Sequence, residues 1–137
     1  MSEENVEIVR RGLEAAWQMP TPDFETLNEL YRPDYLMESN WGVEGKVYRG
    51  ASGFREILAD MNELWAEWRQ EIEEVVDGGS DQVVVVARLI ARGKSSGAPL
   101  DSRWSLVFRV TGGRIASTRS FTDPEAAFAA VGLPRPV

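Results

Sequence analysis

The chain has 137 residues, a formal net charge of −7 and neither cysteine nor histidine. Those absences remove disulfide frameworks, thiolate nucleophiles, Fe–S sites, the commonest zinc ligand and the commonest general base. The acidity argues against a nucleic acid or an anionic membrane as partner, since both need a concentrated basic surface. The length supports one domain, residues 1–137, and no Pro/Gly/Ser-rich stretch divides it. The acidic start MSEENVEIV lacks the basic flank of a signal peptide, and apolar runs such as VVVVA at 83–87 are far too short to span a bilayer. A cytoplasmic location is expected.

In chain order, Val6, Val9, Leu13 and Trp17 recur at helical spacing behind Glu3, Glu4 and Glu7, predicting an amphipathic helix from residue 3 to about 19. Thr21-Pro22-Asp23 predicts a second helix start, and Phe24, Leu27, Leu30 and Tyr31 form its buried stripe as far as Pro33. A short strand is expected from Tyr35 to about Trp41, then a loop through Gly42 and Gly45 that ends at Tyr48-Arg49-Gly50. A third helix from about Ala51 to Trp68 would present Phe54, Ile57, Leu58, Met61, Leu64, Trp65 and Trp68 to a sheet. Strands follow at about 70–76 and 82–92, joined at Asp77-Gly78-Gly79-Ser80. Residues 99–122 then form two alternating runs that meet at Thr111-Gly112-Gly113-Arg114 as a tight hairpin. In the first run Trp104, Leu106, Phe108 and Val110 share one parity, and Arg103, Ser105, Val107 and Arg109 share the other. One sheet face is therefore aromatic and apolar and its reverse bears arginine. Asp123-Pro124-Glu125 caps a short last helix with Ala127, Phe128 and Val131 on its apolar side, stopped by Gly132 and Pro134. The order is α+β, with helices on one face of a curved sheet.

ENVEIVRRGLEAAW at the front, VYRGASGFREIL before the central helix and FRVTGGRIASTRSFTDPEAAF at the end, in that order and spacing, resemble the SnoaL-like branch of the nuclear transport factor 2-like (ketosteroid isomerase-like) superfamily. The resemblance spans nearly the whole chain. It implies a cone-shaped, curved, mixed and mostly antiparallel sheet of the cystatin-like kind, covered on its concave face by three helices, enclosing a pocket and commonly forming a homodimer. It implies less about function, because the superfamily includes polyketide cyclases, a ketosteroid isomerase, epoxide hydrolases, dehydratases and proteins with no catalysis.

In the ketosteroid isomerase a tyrosine and a protonated aspartic acid form an oxyanion hole while an aspartate moves the proton. Matching IVRRGLEAAW, LYRPDYLMESN and FRVTGGRI to those segments puts Gly12, Ser39 and Leu106 at the three stations. Many SnoaL-like cyclases carry histidine at the station of Leu106. The resemblance therefore implies that steroid-isomerase chemistry is absent.

Trp104, Leu106 and Phe108 are the leading ligand contacts, with Trp17, Met37, Ser39 and Trp41 as further lining and Thr118 and Ser120 as hydroxyls of matching parity on the next strand. Each of these also suits plain core packing or a local hydrogen bond. Arg88, Arg92, Arg103, Arg109 and Arg119 share one face; an anion site is one use, but a solvent or dimer face paired with Glu71, Glu73 or a partner's carboxylates fits better. Among the carboxylates, Asp101 and Asp123 have structural uses, and Glu38 is the weak catalytic candidate, since burial beside Tyr35 or Trp41 would raise its proton affinity. No Walker loop, GxGxxG or calcium-loop spacing occurs, so no metal or nucleotide cofactor is expected.

Three functions follow in order. The first is a domain binding a small cyclic hydrophobic molecule, the second a cofactor-free cyclase or isomerase using Glu38 or another carboxylate with Tyr35, Tyr48 or Ser39. The third is a structural homodimer module joined through the outer sheet face.

Overall fold

The computed structural model describes residues 2–18, 21–39 and 46–133. The first helix, α1 (Ser2–Ala16), buries Val9, Leu13 and Ala15 and ends slightly before the expected position, with the Trp17 amide donating to Leu13. Helix α2 (Phe24–Leu30) starts at Asp23, whose carboxylate accepts the amide of Thr26 at 3.2 Å and its hydroxyl at 2.7 Å. These bonds hold the Asp23 carboxyl below its usual pKa.

Strand β1 (Tyr31–Glu38) begins where the second helix was expected to continue. The residue before a proline is pushed out of the helical region, which favours extended backbone at Arg32. Pro33 lies where the register against the last strand shifts, between Tyr31 and Leu36, a place where a missing N–H is tolerated. A short strand β2 (Val47–Arg49) pairs antiparallel with β1 where only a loop end was expected. The expected loop through Gly42 and Gly45 and the strand end at Trp41 lie outside the described residues.

Helix α3 (Gly50–Leu64) stops four residues before the expected end, because Trp65 to Trp68 belong to strand β3 (Trp65–Gly79). Trp65 pairs with Gly93 and Trp68 with Ala91, so sheet pairing takes over from a helical pattern that runs on through both tryptophans. Strands β4 (Gln82–Gly93), β5 (Pro99–Thr111) and β6 (Arg114–Phe121) follow, then helix α4 (Ala126–Ala130). The β3–β4 turn falls at Ser80 and Asp81, with φ of 51° and 62°, two residues later than expected. The β5–β6 turn is Gly112-Gly113, with φ of 60° and 79°, where expected. Positive φ at both central residues suits the right-handed twist of the paired strands.

The six strands make one curved mixed sheet in the order β2-β1-β6-β5-β4-β3, in which only β1 and β6 run parallel. Helices α1, α2 and α3 cover one face, packing Val9, Leu13, Leu27, Leu30, Phe54 and Met61 against Val83, Val85, Trp104, Leu106, Phe108 and Ile115. This is the α+β layout expected. One helix departs from it: α4 lies on the outer face, where Ala127 and Phe128 pack on Val84, Val86 and Val107. Both parities of the 83–87 run are thus fully buried, and a strand covered on both faces loses its alternation.

Candidate functional site

The inner face holds a cavity between the sheet and the helices. Leu106 and Phe108 of β5, Thr118 of β6 and Tyr35 and Met37 of β1 form its deep wall. The helices close it with Leu13, Phe54, Ile57 and Leu58, and half-buried Trp17 and Trp68 stand at its outer side. About 40 Å³ is open to the centre of a water molecule, which corresponds to a few waters or a small ring once the water's own radius is added.

Aromatic contacts set the shape of the wall. The Tyr35 and Phe54 rings stack at 5.5 Å with planes 7° apart, and Tyr31 meets both edge-on at 4.7 and 4.9 Å. Trp17 leans on Trp104 at 6.3 Å. The Trp68 indole donates to Asn62 at 2.8 Å, and Lys94 donates to the backbone carbonyl of Asn62 at 2.8 Å.

The polar groups of the lining are uncharged. Tyr35 donates to Thr118 Oγ1 at 2.6 Å, deep in the cavity. Burial pushes the Tyr35 phenol well above its ordinary pKa, opposed in part by Thr118, and burial with the neighbouring Tyr35 also raises the Tyr31 phenol well above its own. Both are neutral donors, not bases, at physiological pH. Gln18 and Gln70 complete the polar lining, and among the described residues no carboxylate lines the cavity.

A second cluster lies beside it without lining it. Asp60 Oδ2 accepts from Lys46 Nζ at 2.7 Å and from the Tyr48 hydroxyl at 2.6 Å, tying the start of β2 to α3. The Lys46 and Tyr48 bonds hold the Asp60 carboxyl low, while burial and the bond to Asp60 raise the Tyr48 phenol.

The family model of the SnoaL-like domain matches residues 9–118. The chain belongs to the SnoaL-like domain family. A search of curated proteins gives no significant match. Among solved structures, a protein from Jannaschia sp. CCS1 assigned as a SnoaL-like polyketide cyclase is 23 % identical, with 98 % of this chain and 95 % of that one covered and a TM-score of 0.72. TerC, co-crystallised with polyporic acid, is 17 % identical over 93 % and 98 % of the two chains, with a TM-score of 0.71. A protein of ketosteroid isomerase-like fold from Catenulispora acidiphila, in complex with trimethylamine, is 19 % identical over 93 % and 94 %, with a TM-score of 0.68. These likenesses are of fold.

Of the residues singled out from the sequence, this SnoaL-like domain brings Trp17, Met37, Trp104, Leu106, Phe108 and Thr118 to the cavity. Ser39 and Ser120 are buried but do not line it; the Ser120 hydroxyl donates to the Glu38 carbonyl at 3.4 Å and the Ser39 amide to the Lys46 carbonyl at 2.9 Å. Trp41 lies outside the described residues. Glu38 has the opposite parity to Met37; its side chain is 60 % exposed and faces Arg119 at 3.7 Å on the outer face. The buried setting that would have made it an acid is absent.

At the first isomerase station a Cβ on Gly12 would come within 2.7 Å of Ile115 Cδ1 and 3.1 Å of the Tyr31 hydroxyl. A side chain there would have to displace the end of Ile115, and Tyr31 from β1 fills the space beneath the helix. Sequence reasoning missed Tyr31 and Gln70 as lining, and it placed Trp68 on a helix. The alternation Trp68, Gln70, Ile72 was the available signal, since these positions pair with Ala91, Leu89 and Ala87 on the inner face.

On the outer face the arginines meet carboxylates of their own chain. Arg88 forks onto Asp101 and reaches Glu71 at 3.8 Å, and Arg103 bonds Glu73 at 2.6 Å. The Arg88 bond holds the Asp101 carboxyl low. Asp123 accepts the amide of Glu125 at 2.6 Å and so shapes the turn into α4.

Proposed function

We propose that this SnoaL-like domain binds a small, neutral, cyclic and largely apolar molecule in the inner-face cavity. The observation that carries the reading is a wall of aromatic rings and aliphatic side chains whose polar groups are uncharged amides and hydroxyls. Such a wall rewards apolar area and shape, and it would strand an ion without a counter-charge. TerC with polyporic acid and the Catenulispora protein with trimethylamine support small-molecule binding by this fold, while the neutral, cyclic class rests on the lining of this chain alone. The carboxylate-based cyclase or isomerase is the weaker reading, since Glu38 faces outward and the described lining offers no base. With the binding reading goes a homodimer through the outer sheet face, for which sedimentation at micromolar concentration is the check.

Thermal unfolding against single-ring and two-ring neutral compounds tests the binding reading. A ligand at about 100 times its dissociation constant stabilises the fold by about 2.7 kcal/mol. The expected result is a concentration-dependent rise in Tm that disappears in Ile57→Trp, which fills the space from the half-buried side of α3. No rise with any compound overturns the reading.

A further inference from the structure

Gln70 stands out among the cavity residues. It lies in the inner row of β3 between Trp68 and Ile72, opposite Leu89, so its immediate surroundings on the sheet are apolar. Its side-chain oxygen is fully buried and has no hydrogen-bond partner among the described residues, and the residue lines the cavity. A buried acceptor left without a donor costs the desolvation of that group, and native proteins pair the great majority of such atoms. Trp65 Nε1 is likewise buried without a partner among the described residues, but Trp65 does not line the cavity. The Tyr35 hydroxyl is already committed to Thr118.

From this we infer that Gln70 is the specificity-determining residue of the cavity: its amide oxygen selects ring compounds that carry a hydrogen-bond donor, such as a phenolic O–H or an aromatic N–H, over isosteres without one. The inference rests on the cavity being a ligand site and names the ligand class. An amide oxygen accepts from a neutral donor without adding charge, which suits a lining of neutral groups. The donor end of the ligand points toward β3 and its apolar end toward Leu106 and Phe108.

The test uses three single-ring probes with the full chain: p-cresol, its isostere p-xylene, in which a methyl replaces the hydroxyl, and 4-methylanisole, which keeps the oxygen but has no donor. Dissociation constants are read by NMR titration for wild type and Gln70→Met, a substitution close in volume that removes the acceptor. The preference for p-cresol over p-xylene is expected to fall about tenfold in Gln70→Met, the scale of one hydrogen bond. The ligand-free variant is expected to melt higher than wild type, because it loses a stranded polar atom and no existing bond; a residue with a purely structural role would lower Tm. Should Gln70→Met not fold, wild type alone decides, with p-cresol expected to bind more tightly than 4-methylanisole despite its smaller apolar surface. Binding of all three probes with no loss of preference in the variant, or 4-methylanisole matching p-cresol, overturns the role of Gln70 and leaves the cavity as a ligand site. Failure of every probe to bind wild type overturns both.

Discussion

Gly12 decides how closely α1 approaches the sheet. A methyl there meets the Ile115 side chain and the Tyr31 ring, both buried, so Gly12→Ala forces a packed contact apart even though alanine favours a helix by about 1 kcal/mol. Overpacking of this kind costs about 1–3 kcal/mol. The expected outcome is a net loss of about 1 kcal/mol, read as a lower urea midpoint at unchanged slope. Gly12, Ser39 and Leu106 are visible in the sequence as departures from an acid–base pattern, because a missing functional group is a matter of residue identity. What replaces them is not visible. Tyr31 reaches the space under Gly12 from another element, and that contact depends on where β1 begins.

The hairpin at 99–122 is legible because its two parities differ in chemistry along the whole length, aromatic on one side and arginine on the other. The α3–β3 boundary is not legible, because Leu64, Trp65 and Trp68 fit both the helical spacing of α3 and, from Trp68 onward, the alternation of β3. Pairing with β4 decides the choice, and those partners lie more than twenty residues away. Helix α4 is hidden for a related reason. Its place on the outer face depends on Val84 and Val86, which sit in an uninterrupted valine run with no face of its own. Phe128 is 2 % exposed within that small outer core. Phe128→Ala is expected to cost about 3 kcal/mol in chemical unfolding while leaving ligand affinity at the cavity unchanged, since the sheet separates the two cores. A matching loss of affinity would show that the faces are coupled.

Across the whole molecule, all three tyrosines, Tyr31, Tyr35 and Tyr48, are buried and have phenols raised above their ordinary pKa. The folded state therefore holds protons that the unfolded chain releases above about pH 10. The sign follows from linkage: this contribution is fully present below the unfolded pKa and is lost as pH rises toward the folded values. Phenolate absorbance at 295 nm is expected to stay flat through the range of free tyrosine and then rise in one step together with loss of far-UV circular dichroism. A gradual rise near pH 10 with the fold intact would mean that at least one ring is open to solvent.

The covering of Val84, Val86 and Val107 by α4 also separates homology from foldability. The matched family segment stops at residue 118, before Phe121 and the whole of α4, and starts at residue 9, inside α1. An expression fragment cut to those limits would carry the cavity but lay bare valines that are at most 7 % exposed in the full chain, together with shortened edges on both layers. Such a fragment would be sticky and prone to self-association. A dimer seen with it would report the cut surface, not the native assembly.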